Sequence, residues 1–113
     1  VVTQIGVANH EAIAAAKGGI DALVQSAAAT YAPQGIRINA VAPALTETPL
    51  TATMLKHEAM RQGAEKQYPL TGINTANEVA DVMSWLLSVQ AQRITGQTIA
   101  VDGGFSRIRP LVR

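Results

Sequence analysis

Between residues 9 and 31 apolar side chains recur at helical spacing, with Ile13, Ala16, Ile20, Leu23, Val24 and Ala27 along one face, and the pattern stops at Pro33 and Gly35. Immediately after it comes Ile36-Arg37-Ile38-Asn39-Ala40-Val41-Ala42, a short β-rich run closed by Pro43. A helix handing over directly to a short apolar strand is the connection of a βαβ unit, in which strands run parallel and helices cover both sheet faces. The chain therefore reads as α/β. Asn9 is the expected N-cap of this first helix, and Glu11 in its first turn suits the positive end of the helix dipole. Gly18 and Gly19 each cost the helix about 1 kcal/mol relative to alanine, which points to close packing against another helix.

Residues 43 to 53 are rich in Thr and Pro and read as an irregular loop, followed by a polar helix over residues 54 to 67. Its large apolar groups are few, Met54, Leu55 and Met60 with Tyr68 beyond, so the segment reads as a moving flap rather than as core. Thr75-Ala76-Asn77-Glu78 has the form of a capping box and opens an amphipathic helix faced by Val79, Val82, Met83, Leu86 and Leu87. A second strand ends at Val101 before the turn Asp102-Gly103-Gly104. Two parallel strands cannot shield both faces of a sheet, so further strands are expected from elsewhere. The start at Val1, without methionine and within a strand-like run, fits a fragment or a processed product.

Composition narrows the function classes. A length of 113 residues suits one domain with a modest core. With 48% hydrophobic and 15% charged residues, and 9 basic against 8 acidic, the chain is too apolar for disorder and too balanced for nucleic acid or an anionic membrane as partner. It contains no cysteine, which excludes disulfides and thiolate metal sites, and no metal site is expected. No apolar run approaches the roughly 20 residues that span a bilayer, so the chain reads as soluble, with the cytoplasm as default location.

Three blocks occur in order: Ala14-Ala15-Ala16-Lys17-Gly18-Gly19-Ile20, then Gly35 through Ile36-Arg37-Ile38-Asn39-Ala40-Val41-Ala42-Pro43, then Ile94-Thr95-Gly96-Gln97 leading to Val101-Asp102-Gly103-Gly104. Together they resemble the short-chain dehydrogenase/reductase family over nearly the whole chain. The resemblance implies the C-terminal part of a Rossmann-type doubly wound parallel sheet whose N-terminal half is missing, so that residues 1–113 are the C-terminal portion of a single NAD(P)-binding domain. It further implies NAD or NADP as cofactor, a small-molecule alcohol or carbonyl as substrate, and a homo-oligomer when full length. The family's Gly-rich dinucleotide fingerprint has no match here, and the fragment alone is expected to be inactive.

The family pairs a tyrosine with a lysine four residues later, one helical turn apart. A phenol, with a reference pKa of about 10, needs a nearby ammonium to work near neutral pH. Lys17 matches that lysine, which in the family also holds the nicotinamide ribose, but the position four before it is Ile13. An alkyl group cannot move a proton. His10, seven residues before Lys17 on roughly the same helical face, is the candidate substitute, set against a plain helix-start histidine in solvent; His57 reads as a surface residue. The family's catalytic serine would fall ahead of Val1. By the same resemblance Pro43-Ala44-Leu45-Thr46-Glu47-Thr48 is the loop that meets the nicotinamide carboxamide, with Pro43 and Leu45 giving backbone contacts and Thr48 a hydroxyl. Ala44 replaces the usual glycine, and the alternative is that Thr46 and Thr48 serve only local backbone groups. Asp102-Gly103-Gly104 reads as a structural turn. Ile13 and Ala44 motivate the competing reading, a catalytically impaired dehydrogenase-like protein that binds nucleotide or a partner.

Overall fold

A computed structural model of the chain describes residues 5 to 111. Helix α1 (Glu11–Tyr31) leads through a short 3-10 turn (Ala32–Gln34) to strand β1 (Ala40–Pro43). The chain then passes β2 (Thr46–Glu47), α2 (Ala52–Leu55), α3 (Glu58–Glu65), β3 (Asn74–Thr75) and α4 (Ala76–Leu86), and closes with β4 (Thr98–Val101). The strands form two parallel pairs, β1 with β4 and β2 with β3.

Side chains alternate across a strand, and this alternation sorts the helices onto the two faces of the larger pair. Thr98 Oγ1 donates to Asp21 Oδ1 at 3.1 Å, so the face carrying Ala40, Ala42, Thr98 and Ala100 meets α1. Val41 lies on the opposite face and lines an apolar cleft with Met83 and Leu86 of α4. Helices on both faces of a parallel sheet are the α/β layering expected from the sequence. The buried apolar residues are Val24 and Ala28 of α1, Leu55 of α2, Val79 and Leu86 of α4, and Ala91, while Ile13, Ile20 and Leu23 of α1, Trp85 of α4 and Leu87 just past it stay exposed. No helix among the described residues is long and apolar enough to cross a membrane.

Several local expectations shift. The N-cap of α1 is His10, whose carbonyl accepts the Ala14 N–H at 2.7 Å; Asn9 stands one residue earlier at φ 63, the left-handed conformation that asparagine tolerates better than most residues. The strand begins at Ala40 rather than Ile36, because side chains satisfy the backbone ahead of it. Thr95 Oγ1 accepts from the Ile38 N–H, Asn39 Oδ1 accepts from the Gln97 N–H, and Asn39 Nδ2 donates to the Ile94 carbonyl. The flap holds two short helices, broken at Lys56 and His57. A Cβ added at Gly19 would meet nothing within 4 Å, so the packing expected of that glycine is not made among the described residues.

No local sequence pattern marks Arg37, yet it ties three segments together. Its guanidinium donates to the carbonyls of Leu86 (2.7 Å) and Ser88 (3.5 Å), just past the negative end of α4, and to Ile94 (3.1 Å). The capping box of α4 is formed as its sequence predicts. Thr75 Oγ1 accepts from the Glu78 N–H at 3.1 Å, and Glu78 Oε1 accepts from the Thr75 N–H at 2.8 Å. The Thr75 backbone N–H, and after it the Thr75 hydroxyl, hold the Glu78 carboxyl below its ordinary value.

Candidate active site

The direction of α1 against the strands decides where its polar residues lie. Ala28 sits beside Gly96, ahead of β4, and Asp21 beside Thr98, its first residue, so the N-terminal end of α1 points toward the carboxyl ends of β1 and β4. At about 1.5 Å per helical residue, Lys17 lies roughly 6 Å beyond Asp21, and His10 about 10 Å further. Four strand residues span about 13 Å, which puts Lys17 level with the second half of β4 and His10 just past its end. The carboxyl edge of a parallel sheet is where open α/β folds bind ligands.

Lys17 is exposed, and among the described residues no hydrogen bond or ion pair engages its ammonium. Ile13, one turn earlier, is half exposed and chemically inert. His10 is half-buried, and its Nδ1 lies 2.7 Å from the Ala8 carbonyl. A carbonyl can only accept, so Nδ1 carries the proton in that bond, and in the neutral ring Nε2 is the nitrogen with the lone pair. Two turns of helix separate His10 from Lys17, and seven residues advance the helix by nearly two full rotations, so both occupy one face.

The loop after β1 leaves from the same edge. Ala44 is not left-handed; among the described residues Asn9 alone combines a side chain with positive φ. The Leu45 peptide is held on both sides, its N–H donating to the Tyr68 hydroxyl at 3.3 Å and its carbonyl accepting the Asn74 N–H at 3.0 Å. Thr46 Oγ1 donates to the Ala44 carbonyl at 2.9 Å. The Thr48 hydroxyl stands 3.4 Å from that of Thr51, which also accepts the Thr48 N–H at 3.0 Å and donates to the Thr46 carbonyl at 2.7 Å. Arg61 of α3 reaches back to Glu47 at 2.6 Å and to the Leu55 carbonyl at 3.3 Å, joining the flap to the loop.

A cavity of about 400 Å³ opens at this edge, lined in part by Leu45, Tyr68, Asn74, Val101 and Asp102. Asp102, buried, accepts from the Gly104 N–H (3.0 Å), the Ser106 N–H (3.0 Å) and the Ser106 hydroxyl (2.7 Å). Burial works to raise its pKa, and these hydrogen bonds overcome it, so the carboxyl titrates below its ordinary 3.8. Its acceptors are spent on the turn that Gly103 (φ 59) and Gly104 (φ 91) complete. Among the described residues no group of three or more His, Asp or Glu side chains could hold a metal ion. Tyr68 is not legible as a site residue in the sequence, because its tie to Leu45 spans 23 residues and no local pattern marks it.

A family model described as Enoyl-(Acyl carrier protein) reductase matches residues 1–106. The cis-4-hydroxycyclohexanecarboxylate dehydrogenase of Sinomonas cyclohexanicum is 37% identical over 96% of this chain and 43% of its own length. The crystal structure of a short chain dehydrogenase family protein from Francisella tularensis subsp. tularensis SCHU S4 superposes with a TM-score of 0.84 at 30% identity, over 92% of this chain and 48% of that one. A 4-hydroxyisoleucine dehydrogenase complexed with NADH superposes with a TM-score of 0.77 at 26% identity, over 81% of this chain and 38% of that one. The chain thus spans less than half the length of each.

Proposed function

The chain belongs to the short-chain dehydrogenase/reductase family, and on that premise we propose that residues 1–113 are the C-terminal portion of a single NAD(P)-binding Rossmann-type domain. The full-length protein would be an oxidoreductase acting on the carbonyl or alcohol of a small molecule. The observation that carries this reading is Lys17, an exposed ammonium with no partner among the described residues, on the part of α1 that flanks the carboxyl ends of the parallel strands. That a relative in fold carries NADH supports the choice of cofactor. The exposed apolar residues on both helical layers support a wider sheet than the β1–β4 pair supplies.

The residues fit such a cofactor. Lys17 would hold a ribose hydroxyl, while Pro43, the Leu45 backbone and Thr48 would meet the carboxamide; the cofactor itself supplies the hydride chemistry. His10 would hold and move the proton at Nε2, with the Ala8 carbonyl fixing the ring through Nδ1. Cytoplasmic location and homo-oligomeric assembly belong to the same proposal, with the open surface at Gly19 supporting a subunit contact. The second reading, a nucleotide-binding protein impaired in catalysis, is favoured by Ile13, an alkyl group that cannot move a proton, one turn before Lys17.

Both readings are tested on the full-length protein by titration with NADH and NADPH and by coenzyme oxidation over a panel of ketones and aldehydes. Lys17→Ala is expected to weaken nucleotide binding at least about tenfold. His10→Ala should lower kcat by roughly 10²- to 10⁴-fold with nucleotide affinity kept. Wild-type binding without any turnover would select the impaired reading. Absence of binding would overturn both, and undiminished turnover in His10→Ala would remove histidine from the chemistry.

A further inference from the structure

Tyr68 sits between two parts of the molecule that the sequence keeps apart. On one side its ring packs edge-on against Phe105, with centroids 5.5 Å apart and planes at 61°, and the adjoining backbone is tied to the turn after β4 by Leu70 N–H donating to the Gly103 carbonyl at 2.9 Å. On the other side its hydroxyl accepts the Leu45 N–H in the loop after β1. A ring anchored to the end of β4 thereby holds one peptide of the loop after the neighbouring strand. A hydroxyl that accepts still has its own proton to give. Tyr68 also lines the cavity at this edge.

Resting on the nucleotide-binding reading above, we propose that Tyr68 is a positioning residue that fixes the Leu45 peptide, and through it the carboxamide-facing loop, from the far side of the flap. The Leu45 peptide has two anchors of different kinds. Its carbonyl is bonded by the Asn74 backbone as part of the lead-in to β3, whereas its N–H depends on the Tyr68 side chain alone among the described residues. Removing the hydroxyl frees one side of the peptide and leaves the other in place. Lys17 lies on α1 and has no contact with this anchor among those described, so the ribose end of the nucleotide should be indifferent to it.

The test is Tyr68→Phe in the full-length protein, which keeps the ring against Phe105 and deletes only the hydroxyl. Two probes separate the ends of the cofactor: the reduced nicotinamide nucleotide that the wild type prefers, and ADP-ribose, which has the ribose but no carboxamide. The expected result is affinity for the nicotinamide nucleotide reduced roughly three- to tenfold, as for loss of one hydrogen bond, with ADP-ribose affinity unchanged. A second readout without cofactor is deuterium uptake by a peptide spanning residues 43 to 49, which should quicken in the variant. Equal weakening of both probes, or an unchanged ratio with unchanged uptake, overturns the role of Tyr68. Failure of the wild type to bind either probe instead overturns the nucleotide-binding reading on which it rests.

Discussion

Replacing Asp102 by asparagine should destabilise the full-length protein by about 3 kcal/mol at neutral pH, and by progressively less as the solution is acidified. The carboxylate accepts three hydrogen bonds, two of them from Ser106 at one oxygen. Asparagine keeps one oxygen for the Gly104 N–H, and its amide can donate to a rotated Ser106 hydroxyl, but the Ser106 N–H then faces another donor. One charge-assisted bond is lost, at about 1.5–3 kcal/mol, and two fall from charged to neutral strength at several tenths each. Because the folded carboxyl titrates below its ordinary 3.8, the unfolded chain binds the proton first as pH falls. The stabilisation is complete above the unfolded value and lost as pH drops through the folded one. Urea unfolding of wild type and Asp102→Asn at pH 7 and pH 3 reads this directly. A difference below about 1 kcal/mol at pH 7, or an equal difference at both pH values, would refute the bonding scheme.

Arg37→Met keeps the length of the side chain and removes the donors to Leu86, Ser88 and Ile94, so a loss of about 2–3 kcal/mol is expected, with Arg37→Lys recovering only part of it; a urea midpoint equal to wild type would contradict the tie. Thr75→Ala removes the cap of α4 and should cost about 0.5–2 kcal/mol, with Thr75→Ser restoring most of it in the same unfolding assay.

The legible parts of the fold are those encoded by neighbours in sequence. The box from Thr75 to Glu78 announces the start of α4, and the apolar spacing from Ile13 to Ala27 announces α1, because both signals are complete within a few turns. The pairing of β2 with β3 is not legible: two residues have no periodicity, and Thr46 meets Asn74 only in the folded chain. The same reason hides Arg37, whose acceptors lie about fifty residues downstream. Asn9 misleads as a cap because the residue type favoured there also favours left-handed backbone, and the chain uses the second property. At the site, Lys17 is visible through its place in a block that resembles the family's, while Tyr68 matters only through a peptide in another loop.

The pairing of β2 with β3 gives the segment between them a particular status. Residues 48 to 73 leave the sheet and return to it at adjacent points, closed by the register of Thr46 with Asn74 and Glu47 with Thr75. A loop whose ends are already clasped can be lengthened at only about 0.6 kcal/mol per doubling, and without rethreading β1, α4 or β4. The flap is therefore an exchangeable module, and its length and sequence can change while Lys17 on α1 and Leu45 in the loop after β1 keep their places.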